Sequence, residues 1–189
     1  MNIQNIDIKN FEIIESPYLN QHIALYLEKI ITLVNEAYWD QQQHFFNDTP
    51  RARERINAEN IDQILNNPNK KLYLMIDKTN NAVAGTILLE TVPEKNHAKF
   101  GLFAISKEYQ GRGLGPTLVT HVEKKAQSLG KRKMKIEVFI FAPRLAHHYG
   151  RLGYSYTGKK YEFPHWDSVR LEHQFEDKNY LIGMKKKII

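Results

Sequence analysis

Residues 109–130 read YQGRGLGPTLVTHVEKKAQSLG, three alternating glycines at 111, 113 and 115 that run straight into an apolar stripe of helical spacing. Glycines lack a Cβ, so they let the backbone turn tightly and bring its N–H groups against a ligand. The first N–H groups of a helix have no intrahelical partner, and they lie at the positive end of the helix dipole. Together these features make a seat for a phosphate or pyrophosphate. Leu114, Leu118, Val122, Ala126 and Leu129 recur at three- and four-residue steps, which predicts a helix with that face buried. Gly130 suits a left-handed stop, and Lys124 and Lys125 sit near the negative end.

Two common phosphate loops do not fit this stretch. A dinucleotide fingerprint needs glycine where the chain has Pro116, and a Walker A loop ends in Gly-Lys-Ser/Thr. Gly153 to Lys159 does give Gly, four residues, Gly-Lys, but Lys160 follows in place of a hydroxyl residue and the run leads into a strand pattern.

Outward from the loop, a strand is expected before it from Ala98 to Ile105 and another after its helix from Met134 to Phe141. Pro143 to Arg151 fits a short helix, and extended runs follow at Tyr154 to Phe163 and Tyr180 to Ile188, joined by a polar, aromatic connection from Pro164 to Asn179. Further upstream, Lys71 to Asp77 and Ala82 to Thr91 read as a hairpin about the turn Lys78-Thr79-Asn80-Asn81. Asn57 caps a short helix carrying Ile61, Ile64 and Leu65, and Thr49-Pro50 gives another cap-and-proline signal. Ile23, Leu27, Ile30, Val34 and Ala37 predict a helix from Tyr18 to Tyr38, and Asn2 to Ile14 alternates loosely as a first strand. The aromatic run Trp39 to Phe46 either packs beneath a loop or lines a pocket. The order is that of one mixed α/β sheet, without internal repeats.

Composition is that of an ordinary globular domain, 42% hydrophobic and 25% charged over 189 residues. No cysteine is present, which excludes disulfides, zinc thiolates and a cysteine nucleophile. The net charge of +6 favours polyanionic ligands, yet Lys131-Arg132-Lys133 and Lys185-Lys186-Lys187 lack the interleaved aromatics that stack on bases. A nucleic-acid partner is therefore not expected. Met1 to Asn10 has no signal-peptide pattern and no apolar run reaches membrane length, so a cytoplasmic location without membrane contact is expected. His147 and His148 diverge on a helix, and His97, His121, His165 and His173 show no ligand spacing, so no metal is expected.

Gln110-Gly111-Arg112-Gly113-Leu114-Gly115 matches the Gln/Arg-x-x-Gly-x-Gly/Ala loop of the GNAT N-acetyltransferase superfamily, and the element order resembles that family over nearly the whole chain. A second signature lies downstream: Ile136-Glu137-Val138, then Tyr149-Gly150-Arg151-Leu152-Gly153-Tyr154, with Ala142 where the family usually has asparagine and Leu145 where it has alanine. The resemblance implies a single acyl-CoA N-acyltransferase domain over 1–189, a mixed and mostly antiparallel sheet flanked by helices. It implies acetyl-CoA as co-substrate, transferred directly in a ternary complex to a primary amine, a small molecule in preference to a protein N-terminus. The backbone of Phe103, Ala104 and Ile105 would meet the pantetheine arm and offer an N–H to the developing oxyanion, while Gln110, Gly111, Arg112, Gly113, Leu114 and Gly115 would hold the pyrophosphate. Tyr149 is expected as general acid and Glu137 as general base, Glu90 being the other strand carboxylate to consider. His165 and Trp166 are read as bordering the acceptor pocket. The protein would be a monomer or homodimer. A catalytically weak acyl-CoA sensor of the same fold is the alternative.

Overall fold

A computed structural model describes residues 8–15, 18–43, 50–140, 142–162 and 180–189. Its centre is a seven-stranded sheet in the order β1-β2-β3-β4-β5-β7-β6. The strands are β1 (Phe11–Glu15), β2 (Lys70–Asp77), β3 (Ala82–Thr91), β4 (Ala98–Ile105), β5 (Lys133–Phe139), β6 (Ser155–Glu162) and β7 (Tyr180–Lys187). Neighbours run antiparallel except β4 and β5, which are parallel because helix α4 (Leu114–Ser128) connects them. The other helices are α1 (Tyr18–Gln42), α2 (Pro50–Arg53), α3 (Ala58–Leu65) and α5 (Pro143–Arg151).

The element order expected from sequence is present, with changes at the edges. The first strand is shorter, a 3-10 turn at Ile8–Asn10 preceding it, and residues 2–7 lie outside those described. Helix α1 runs on through Trp39 to Gln42, which had been assigned to a connection. Strand β5 stops at Phe139 instead of Phe141, β6 starts at Ser155 and β7 stops at Lys187. The Asn47-Asp48-Thr49 cap region, Phe45 and Phe46, and the connection 163–179 with His165 and Trp166 fall outside the described residues.

Two apolar layers clothe the sheet. On one face, Leu114, Leu118, Val119, Val122 and Ala126 of α4 pack on Tyr73, Ile87, Phe100, Ile136 and Val138. On the other, Leu19, Ile30 and Val34 of α1 and Ile61 of α3 pack on Leu72, Leu74, Val83 and Leu88. Leu129, expected on the buried stripe, is 48% exposed. It occupies the helix cap, where the chain leaves the helical path ahead of left-handed Gly130, φ +74°. Glu123 takes a buried place on α4 instead, accepting from the Tyr154 hydroxyl at 2.7 Å and pairing with Lys186 at 2.7 Å, so its charge is compensated. Asn57 and Asn60 form the reciprocal cap of α3, at 3.0 and 3.1 Å.

Strand β4 carries the feature that opens the sheet. Opposite β3, Thr86 pairs with Ala104 but Leu88 with Gly101, so β4 holds one residue more than its partner. Leu102 sits in that bulge with φ +45°, a backbone region costly for a branched side chain. The bulge changes the alternation of faces: Ala98 and Phe100 share the α4 side with Phe103 and Ile105, whereas Leu102 and Ala104 join the α1 side. Strands β4 and β5 pair only at Ala98 with Met134 and Lys99 with Lys135. Beyond that point they diverge, and the edge of β4 toward β5 has no strand partner among the described residues.

Candidate active site

The divergence of β4 and β5 leaves a cleft of about 840 Å³ that runs from the glycine loop, between the strands, to the C-terminal turns of α1. Its loop end is built as the sequence suggests. Gly111 and Gly113 have φ of +74° and +79°, values that L side chains rarely adopt. The first bond into helix α4 comes from Thr117 N–H to the Gly113 carbonyl at 3.3 Å, so the N–H groups of residues 111 to 115 have no backbone acceptor among the described residues. Pro116 falls in this first turn, where a missing N–H costs nothing. At Gly115 a Cβ would lie 3.3 Å from the Phe103 ring, so glycine permits the close approach of α4 to β4.

The loop is braced from three sides. Gln110 donates from its amide to the Ile105 carbonyl at 2.9 Å, and its own N–H closes a 3-10 turn on Lys107. Gln110 therefore acts as an anchor for the loop. Buried Tyr109 donates to the Asp77 carboxylate at 2.9 Å and receives Asn80 at 3.2 Å, which ties the loop to the β2–β3 hairpin. Asp77 also accepts from the Thr79 hydroxyl at 2.7 Å and its N–H at 2.9 Å, and these bonds hold its carboxyl below the ordinary aspartate value. Lys107 reaches Asp40 at 2.7 Å and so joins the end of α1 to the loop. Arg112 is exposed, its guanidinium 5.7 Å from the Tyr109 ring centre, free to turn toward an anion.

Tyr149 projects from α5 into the middle of the cleft, its ring among Phe100, Phe103 and Tyr154 at 5.8, 6.3 and 5.9 Å between centroids. Its hydroxyl has no hydrogen-bond partner among the described residues. Burial, with the nearby Tyr38 phenol adding to it, pushes the Tyr149 hydroxyl far above the ordinary tyrosine value. It is thus a protonated donor at neutral pH. Helix α5 starts at Ala142 without a side-chain cap, and Pro143 at its first position presets the turn. Leu145 packs against the core under it.

Glu137 extends from β5 on the face opposite to Ile136 and Val138, where it lines the cleft and is bound by Lys99 at 2.7 Å. Burial alone would lower the Lys99 ammonium, but the hydrogen bond and charge of Glu137 outweigh it and hold Lys99 above the ordinary lysine value. A smaller hollow of about 440 Å³ adjoins here, sharing Phe100, Gly101 and Glu137 with the cleft and adding Glu54, Glu90 and Lys99. Glu90, in register with Lys99 across β3 and β4, lines this hollow and not the cleft, and lies 3.8 Å from Lys70.

The fold thus gathers Phe103, Ala104, Ile105, Gln110, Gly111, Gly113, Leu114, Gly115, Glu137 and Tyr149 around one cleft, while Arg112 lies outside its lining, against the Tyr109 ring. Sequence reasoning missed Tyr38, Phe139 and His148, which also line it. His148 was weighed only as a metal ligand. It stands beside Tyr149, its ring 5.6 Å away, and burial, helped by Arg151, lowers its pKa below the ordinary histidine value. Trp39 stacks under Arg53 at 5.0 Å, so this part of the aromatic run is packing.

The profile of the Acetyltransferase (GNAT) family matches residues 31–154, from helix α1 to the Gly-Tyr pair after α5, and the chain belongs to that family of acetyltransferases. Among solved structures, a GNAT-family acetyltransferase from Staphylococcus aureus Mu50 superposes with a TM-score of 0.64 at 14% identity, over 95% of this chain and 99% of that one. A GNAT acetyltransferase from Elizabethkingia anophelis, with acetyl-CoA bound, gives 0.60 at 18% over 94% and 98%. A chimera of the Vibrio cholerae spermidine N-acetyltransferase gives 0.65 at 17% over 94% and 95%. At such identities the likeness is one of fold. No curated protein matches the sequence. Among the described residues no helix is long and apolar enough to cross a membrane, and no three His, Asp or Glu side chains converge as a metal site.

Proposed function

We propose that the protein transfers an acetyl group from acetyl-CoA directly to a small-molecule primary amine, both substrates being bound at once. The observation that carries this reading is the continuity of the cleft: at one end the N–H groups of residues 111–115 and along its side the edge of β4, both without a backbone partner among the described residues, and the Tyr149 residue within it. The donor supplies an activated thioester. The chain's own part is to hold the diphosphate on the loop and align the pantetheine amides along β4. It also offers a β4 N–H where negative charge develops on the carbonyl oxygen.

Tyr149 would donate its proton to the departing sulfur, a role supported by a hydroxyl kept protonated by burial and without another hydrogen-bond partner among the described residues. Glu137 would take the amine's proton, directly or through water, with Lys99 fixing its rotamer. A covalent acetyl-cysteine is not available to a chain without cysteine, which supports direct transfer. The Elizabethkingia anophelis structure, with acetyl-CoA bound to the same fold, supports the choice of donor.

Calorimetric titration with acetyl-CoA tests the loop. Binding is expected in the micromolar range. Gly113→Val should abolish it, since valine at φ +79° strains the turn by about 1–2 kcal/mol and moves the N–H groups. Unchanged affinity in the folded variant would remove the loop from the donor site.

A further inference from the structure

On the sheet's second half, the face that no described element covers carries lysines placed directly opposite one another. Lys99 of β4 is in register with Lys135 of β5, which is in register with Lys185 of β7. One step along, Lys133 faces Lys187. Residues in register on neighbouring strands share a face, so these five ammonium groups form two transverse rows. Lys159 of β6 and Lys95 add their charge at Lys135, and both contribute with Lys99 and Lys133 to lowering its pKa, after burial. His97, its pKa lowered by burial and then by Lys135, Lys95, Lys99 and Lys131, lies with its Nε2 3.3 Å from the Lys135 ammonium. Lys133, Lys159, Lys185 and Lys187 are exposed.

Like charges directly opposite in a sheet are destabilising. Among the described residues, the carboxylates beside these rows act at the inner end: Glu137 pairs with Lys99, and Glu90, in register with Lys99 on β3, adds its charge there. That inner end is the acceptor side of the cleft: Lys99 and Glu137 both line the hollow that adjoins the β4–β5 split. The row thus begins in the site and runs outward over β5 and β7.

We propose that the amine acceptor is a zwitterion whose far end is a phosphate or phosphate ester, its amine lying at Glu137 and its anionic group on Lys135 and Lys185. This rests on the reading of the cleft as an acetyl-transfer site with Glu137 toward the amine. Glu137 and Lys135 are two residues apart on one strand, about 7 Å, which fits an amine and a phosphate separated by about five carbons. The phosphate would relieve the repulsion within the row, so binding it recovers stability that the free protein forgoes.

The test uses two probes of equal length, 5-aminopentyl phosphate and 5-aminopentanol, titrated calorimetrically into the protein saturated with CoA. The phosphate is expected to bind at least tenfold more tightly, with the advantage shrinking as sodium chloride is raised. In the double variant Lys135→Gln, Lys185→Gln the advantage should disappear while the affinity for 5-aminopentanol and for CoA stays. Equal binding of the two probes, no binding of the phosphate, or an advantage that survives the double substitution would each overturn the proposal. Titration of acetyl-CoA alone judges the donor site separately, so loss of the anionic subsite and loss of the acetyl-transfer reading give different results. Thermal melts of the variant check its fold, and relief of like-charge repulsion predicts that it melts no lower than the parent.

Discussion

Tyr149 and Glu137 are both side chains on regular elements, and their roles separate by what holds them. Among the described residues the Tyr149 side chain is held by aromatic packing without a hydrogen bond, so Tyr149→Phe should leave the cleft intact. We expect kcat to fall by about 10²- to 10⁴-fold, the range for removing a general acid, with acetyl-CoA affinity within a few-fold of the parent. Steady-state kinetics beside calorimetry measures the split, and equal losses in both would make Tyr149 a packing residue. Glu137 is held by one ion pair that is about a third exposed, so the pair adds little stability. Lys99→Met should therefore change the melting temperature little and still raise the KM for amine, because it frees the Glu137 rotamer.

At the scale of elements, helix α4 does most to form the site, and its loop was legible because glycine spacing is a backbone requirement written directly in residue types. The anchor role of Gln110 was not legible: it depends on the position of the Ile105 carbonyl, which only the packing of α4 on β4 fixes. Gln110→Ala should weaken acetyl-CoA binding by several-fold without unfolding the protein, as a titration and a thermal melt together would show. Helix α5 was readable to its ends, Pro143–Arg151, because proline and Leu-Gly mark both boundaries. The extension of α1 past Tyr38 was missed because Trp39 to Gln42 continue the helix without an apolar stripe to announce it. Ala142→Asn should cap α5 and raise stability by about 1 kcal/mol, seen as a higher melting temperature. The bulge in β4 could not be read from alternation, since one extra residue changes the phase and leaves no mark in composition; β5 alternates regularly, but that the Glu137 face lines the cleft depends on the split beside it.

For the molecule as a whole, buried titrating groups bound the pH range of stability. His97, His121 and His148 all have folded pKa values below 6.5, with burial the largest cause in each. The unfolded chain therefore binds more protons, and stability falls as the pH drops below 6.5. Tyr73, Tyr149 and Tyr154 have folded values above 10.0, again chiefly through burial, so stability present below that pH is lost as the pH rises through it. Melting temperatures should form a plateau between these limits, and His121→Phe, which packs against Tyr73, should flatten the acid side. The strands part just past Lys99, where the bulge begins to bend β4. In terms of the gene, β4 holds one codon more than its ladder uses. Deleting the codon for Leu102 would keep Phe103 and Ile105 on their present side while restoring a regular strand, so the sheet is expected to form with the seam between β4 and β5 closed. A folded deletion product unable to bind acetyl-CoA would mark that single codon as the one that turned a continuous sheet into an enzyme.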